Sequence, residues 1–154
     1  MKLPRWLRRG SWEPLLPPAA RYFVVGLVPW EPLLRAYDYI TPGAENAASL
    51  NIVEQLMPLH LWGVLCLIPA SLSLLGLSMR WPAPAILGLF LTGCVEATLS
   101  AGQWKAVAGV PWFDGIRGPG ITTIFAVAQL GMAFGYFLQV LNERDAREAA
   151  REQQ

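Results

Sequence analysis

LHLWGVLCLIPASLSLLGLSM, residues 59–79, decides the class of fold, because the stretch carries no Asp, Glu, Lys or Arg. A helix rises about 1.5 Å per residue, so a run of this length crosses a hydrocarbon core about 30 Å thick. Pro58 stands before it and Arg80-Trp81-Pro82 after it, which frames one uninterrupted apolar helix. Toward the C-terminus the pattern recurs twice. Residues 83–103 are entered through Pro82 and Pro84 and closed by Trp104-Lys105. Residues 121–141 are entered through Gly118-Pro119-Gly120 and run on into Asn142-Glu143-Arg144-Asp145, the start of a solvated helical tail over 142–154. From Leu59 to Leu141 only Arg80, Glu96, Lys105, Asp114 and Arg117 are charged, apart from His60. Charged residues make up 15% of the 154-residue chain and hydrophobic ones 54%, against about 25% charged in soluble domains. A soluble domain of this size has no use for such stretches.

Toward the N-terminus, residues 21–40 are harder to read. YFVVGLV at 22–28 begins a good span, but Pro29, Glu31, Pro32, Arg35 and Asp38 follow. Alone, the segment fits the membrane interface as well as a crossing. The distribution of basic residues selects a crossing. With four spans and the N-terminus inside, the inner side receives Lys2, Arg5, Arg8, Arg9, Arg21 and Arg80, together with Arg144, Arg147 and Arg151. The outer side receives only Lys105 and Arg117, and the loop 41–58 has no Lys or Arg. With three spans the basic N-terminus and basic tail fall on opposite sides. The expectation is an all-α, polytopic four-helix transmembrane bundle with three strong spans and one weaker N-terminal span. It has a basic cytoplasmic or interfacial N-terminus (1–20), a transmembrane domain (21–141) and a charged tail (142–154), multi-pass in the cytoplasmic membrane with both ends inside. Trp62, Trp104 and Trp112 fall near the outer boundary, and Trp6, Trp12 and Trp81 near the inner one.

The basic N-terminus beside Trp6 and Trp12 suits an anionic lipid surface better than nucleic acid. Cys66 and Cys94 are too few for a disulfide framework and wrongly spaced for structural zinc. His60 is the sole histidine, so no metal site is expected. No nucleophile elbow, phosphate-cradling glycine loop or paired metal ligands occur, so the chain reads as a non-enzyme without catalytic residues or cofactor.

Glu96 is the residue that asks for an explanation. A carboxylate deep in a span costs a few kcal/mol, about 3 on insertion scales, so it must face the bundle. Gly88, Thr92, Glu96, Ser100 and Gln103 recur at helical spacing and define that inward face. Thr122, Ala126, Gln129, Ala133 and Tyr136 share one face of the last span, with Gln129 near the depth of Glu96. Arg35 enters from the first span and can pair with Glu31 at i,i+4. Glu31, Arg35, Glu96 and Gln129 thus form an intramembrane polar cluster. It reads chiefly as polar glue between helices, and secondarily as a proton or ion site. Glu96→Leu is expected to loosen the bundle by leaving Arg35 or Gln129 unpaired.

Gly131 and Gly135 form a GxxxG on the side of the last span opposite Gln129. With Gly120, Ile124, Val127 and Leu138 they make a candidate oligomer face. Gly63, Cys66, Ala70 and Ser73 form a similar small-residue stripe on the second span, where Pro69 can introduce a kink. In the outer loop, Trp112, Phe113, Asp114 and Arg117 are the candidate contact residues.

Residues 50–55 (LNIVEQ) leading into 58–63 (PLHLWG), with 111–117 (PWFDGIR), resemble small four-span membrane proteins encoded by actinobacteriophages. The likeness spans roughly 21–141 and implies a phage origin and, for some members, a part in lysis. It carries over no catalytic or ligand residues. The expected function is self-assembly in a host membrane in the manner of a holin or lysis accessory. Two other classes stand beside it. One is a non-lytic modulator, such as a superinfection-exclusion protein or a subunit on a host membrane complex, touching its partner through the outer loop. The other is a small ion or proton carrier centred on Glu96. The expected partners are the lipid bilayer, further copies of the chain, and a host or phage membrane protein, with no nucleic acid.

Overall fold

Apolar runs punctuated by proline and glycine become helices in the computed structural model, which describes residues 10–13, 20, 27–41, 51–108 and 115–153. Among these lie α1 (Trp30–Ile40), α2 (Asn51–Leu56), α3 (Leu59–Met79), α4 (Pro82–Val107) and α5 (Arg117–Glu152). The described architecture is all-α. Three helices, α3, α4 and α5, are long and apolar enough to cross a membrane, and α4 packs against both of the others. Of the weaker span 21–40, residues 21–26 lie outside the described residues, and α1 is an 11-residue helix.

Two boundaries differ from the sequence expectation, each for a local reason. The α4 helix continues past 103 to Val107, because Trp104-Lys105 marks a polarity change but neither residue breaks a helix. The α5 helix begins at Arg117, since Pro119 sits in the first turn, where a missing N–H leaves no hydrogen bond unmade. From there α5 runs unbroken into the charged tail. Arg144–Glu148 at 2.9 Å and Arg147–Glu143 at 3.4 Å line its exposed end, each worth a few tenths of a kcal/mol, about 0.3–0.5.

The α3–α4 hairpin is tight. Arg80 ends α3 in the left-handed region at φ 57°, ψ 44°, and the Trp81 N–H donates to the Gly76 carbonyl at 2.8 Å. The two helices then approach backbone to backbone. A Cβ on Gly76 would overlap the Ala85 backbone, and one on Gly88 would meet the Ser73 Cα at 2.7 Å. The small-residue stripe Gly63, Cys66, Ala70 and Ser73 is buried as α3's packing face. Its upper part receives α1, with the Ala36 carbonyl 3.1 Å from a Cβ placed on Gly63.

The two ends of the bundle are built differently. At the end carrying the α3–α4 turn, the Gly10 N–H donates to the Met79 carbonyl at 2.7 Å. Gln139 Nε2 donates to the Glu13 carbonyl at 2.7 Å. Trp12 meets Tyr136 edge to face with centroids 5.1 Å apart. Trp12, Val28, Leu77, Ala85, Leu89, Ala133 and Tyr136 form one apolar core there. At the far end Ala36, Tyr39, Val53, Trp62, Cys66 and Leu99 form a second. Trp62, in the first turn of α3, is part of that core. It is 6% exposed and its indole N–H donates to the Val53 carbonyl of α2 at 3.2 Å.

Candidate functional site

Between the two apolar cores, three helices bring their few polar side chains together. The inward face of α4 is the one its spacing dictates, with Gly88, Thr92, Glu96, Ser100 and Gln103 all buried. On α5, Thr122, Ala126, Gln129, Ala133 and Tyr136 are buried in register with it. The α1 helix supplies Glu31 and Arg35, one turn apart. Arg35 Nε donates to Glu31 Oε1 at 3.0 Å, and a terminal guanidinium nitrogen also bonds the same oxygen. That nitrogen donates across the bundle to Thr122 Oγ1 at 3.0 Å. Thr122 Oγ1 in turn lies 3.0 Å from Gln103 Oε1 and 2.9 Å from the Gly118 carbonyl, with one proton to offer these two acceptors. A second link joins α4 and α5 nearby, where Ser100 and Thr123 hydroxyls lie 2.6 Å apart and the Trp104 indole donates to Thr123 at 2.9 Å.

Glu96 sits at the centre of this arrangement and is fully buried. Glu31, Arg35 and Gln129 surround its carboxyl at interaction range, yet neither oxygen reaches hydrogen-bond geometry with a described residue. The same holds for Glu31 Oε2 and Gln129 Oε1, while Gln129 Nε2 donates to the Val28 carbonyl at 3.4 Å. Arg35 and Gln129 both lie beside Glu96, as the sequence expects, but the hydrogen bonds of Arg35 in full geometry go to Glu31 and Thr122. Arg35 sits one turn from Glu31 on its own helix and within reach of Thr122, and those shorter contacts take it. What remains around Glu96 is an excess of acceptor oxygens over donors, beside a single guanidinium. Chemically, such a place can take up a proton or another hydrogen-bond donor. Among the described residues no three His, Cys, Asp or Glu side chains converge as metal ligands.

The structure brings Glu31, Arg35, Glu96 and Gln129 into one neighbourhood and adds Thr122 and Gln103 as the bridge. Those two were legible as face residues, but no sequence signal marked them as the relay from Arg35. The other candidate residues lie elsewhere. Gly131 and Gly135 point outward, and a Cβ on either meets nothing within 4 Å. Arg117 is exposed at the start of α5, and Trp112, Phe113 and Asp114 lie outside the described residues. Cys66 is buried and Cys94 exposed, both as free thiols. No protein-family model, curated protein or solved structure matches the chain.

Proposed function

We propose that the protein acts by assembling with copies of itself in a host membrane, as a phage-encoded holin-like protein or lysis accessory crossing four times with both ends inside. The observation that carries the reading is the outer face of α5. Ile124 and Val127 are 67% and 65% exposed, Leu138 is 41% exposed, and a Cβ placed on Gly131 or Gly135 meets nothing within 4 Å among the described residues. Among the described residues the buried positions of this helix lie on its opposite side, which supports reading the open small-residue face as a docking surface for a second chain. Lipid offers little hydrophobic drive between helices, and association there rests on close packing of this kind. The phage assignment is supported by the resemblance of residues 50–63 and 111–117.

The fourth crossing is supported by where the described ends lie. Residues 10–13 dock at the α3–α4 turn, Val28 contributes to the core at that end, and Ile40 reaches Gly63 near the start of α3. These described positions, at opposite ends of the bundle, support a further crossing ahead of α3. The proton-carrier reading has Glu96 in its favour. Against it, Leu89, Ala85 and Leu77 of an apolar core lie between Glu96 and the turn end.

Gly131→Ile/Gly135→Ile tests self-assembly, because it adds bulk to the outward face and leaves Gln129, Ala133 and Tyr136 in place. The variant is expected to insert and fold, to lose crosslinked oligomers in the membrane, and to delay or abolish the collapse of membrane potential on induced expression. Oligomers that persist unchanged would remove the support for assembly through this face and put the non-lytic modulator ahead.

A further inference from the structure

At the turn end of the bundle a cleft of about 510 Å³ opens between the N-terminal segment, the α3–α4 turn and the tail of α5. Its lining includes Arg80, Arg144, Arg147 and Arg151, with Trp12 and Trp81. Glu143 and Glu148 also line it. Even when Glu13, the 3.1 Å partner of Arg80, is counted, arginines outnumber carboxylates there. Glu143 is further occupied by an acceptor bond from Gln139 at 2.8 Å.

Two residues that line this cleft each carry a buried N–H donor with no acceptor among the described residues. The donors are the indole N–H of Trp12, whose side chain is nine-tenths buried, and the Nε–H of Arg80. Arg80, Arg144 and Arg147 each pair with one carboxylate, which leaves the recess one arginine in excess, and guanidinium groups carry further N–H donors that suit phosphate oxygens.

The cleft also has an apolar continuation. Pro82 and Val140 border both it and a second groove of about 350 Å³ lined by Ile86, Leu87, Phe90 and Phe137. This groove runs between the membrane-spanning parts of α4 and α5, with Leu87, Phe90 and Phe137 about half exposed. On α5, Phe137, Val140, Arg144, Arg147 and Arg151 follow one another at alternating steps of three and four, so one stripe of the helix changes from apolar to cationic along its length. A charged recess joined end-on to an apolar groove has the form of an amphiphile with a negatively charged head.

We propose that this composite site binds an anionic phospholipid. The phosphate lies among Arg80, Arg144, Arg147, Arg151 and the Trp12 indole, and an acyl chain lies in the α4–α5 groove. The site is on a different side of α5 from the Gly131–Gly135 face, and the proposal is independent of self-assembly. In the proposed topology this end faces the inner leaflet.

The test uses the full chain purified in a neutral detergent, with thermal melting followed while phosphatidylglycerol, phosphatidylcholine or inorganic phosphate is titrated in. Phosphatidylglycerol is expected to raise the melting temperature saturably, and the other two are not. Arg144→Gln/Arg147→Gln/Arg151→Gln should weaken the apparent affinity by about fivefold per arginine removed. Glu148→Gln, which takes a negative charge out of the lining, should strengthen it. Arg117→Gln, at the opposite end, should leave it unchanged. The proposal is overturned if phosphatidylcholine stabilises equally, if inorganic phosphate reproduces the whole shift, or if the triple variant keeps wild-type affinity.

Discussion

Glu96 is buried and Arg35 part-buried within the bundle, and the neighbours that hold them differ. Arg35 has its charge met by Glu31 and its reach extended to Thr122. Glu96 has Glu31, Arg35 and Gln129 at interaction range, with neither of its oxygens in full hydrogen-bond geometry to a described residue. Removing one member of a buried pair strands the other and costs about 3–5 kcal/mol, whereas replacing an unpartnered polar group with an apolar one of similar size is often neutral or stabilising. Arg35→Met is therefore expected to lower the detergent melting temperature sharply, because Glu31 is left uncompensated. Glu96→Gln and Glu96→Leu should both melt at or above the wild type. This reverses the reading available from sequence, in which Glu96→Leu loosens the bundle. A Leu variant that melts well below wild type would show that Glu96 holds a partner after all.

At the scale of helices, the α3–α4 contact is the one that tolerates least. At Gly88 a side chain would strike Ser73 backbone atoms, and backbone cannot rotate away as a flexible side chain can. Gly88→Val is expected to destabilise by about 1–3 kcal/mol through overpacking, seen as a lower melting temperature with the helix content of the folded state retained. Gly118 lies in the first turn of α5 with nothing within 4 Å of an added Cβ. Gly118→Ala should be neutral or stabilising by about 0.5–1 kcal/mol, through reduced backbone entropy in the unfolded chain. If the two substitutions cost the same, helix propensity rather than close approach governs these glycines.

For the whole molecule, the decisive observation is that residues 10–13, the Arg80 turn and the Gln139–Glu143 region of α5 meet at one end. In the proposed topology an even number of crossings brings the N-terminal segment and the tail to the same side, the side the lysine and arginine count favours as inner. A reporter fused after Gln154 and another inserted in the loop 41–58 are expected on opposite sides of the membrane, with the first in the cytoplasm. Both reporters in the cytoplasm would rule out four crossings.

The sequence alone determined the helical membrane class, the limits of α3 to within a residue, and which faces of α4 and α5 turn inward. It could do so because a membrane requires each spanning element to satisfy its own backbone and to sort its side chains by polarity, and both demands are written locally. Gly88, Thr92, Glu96, Ser100 and Gln103 all lie where their spacing put them. The tertiary structure decided who meets whom. Arg35 hydrogen-bonds Glu31 and Thr122 while lying beside Glu96, Trp62 bonds the α2 backbone, and Trp12 returns to Tyr136 from a distant part of the chain. These contacts depend on the relative depth and rotation of separate helices, set jointly by close approaches such as Gly76 on Ala85 and Gly88 on Ser73. No single segment encodes that geometry, because each helix finds its depth only against the surfaces of the others.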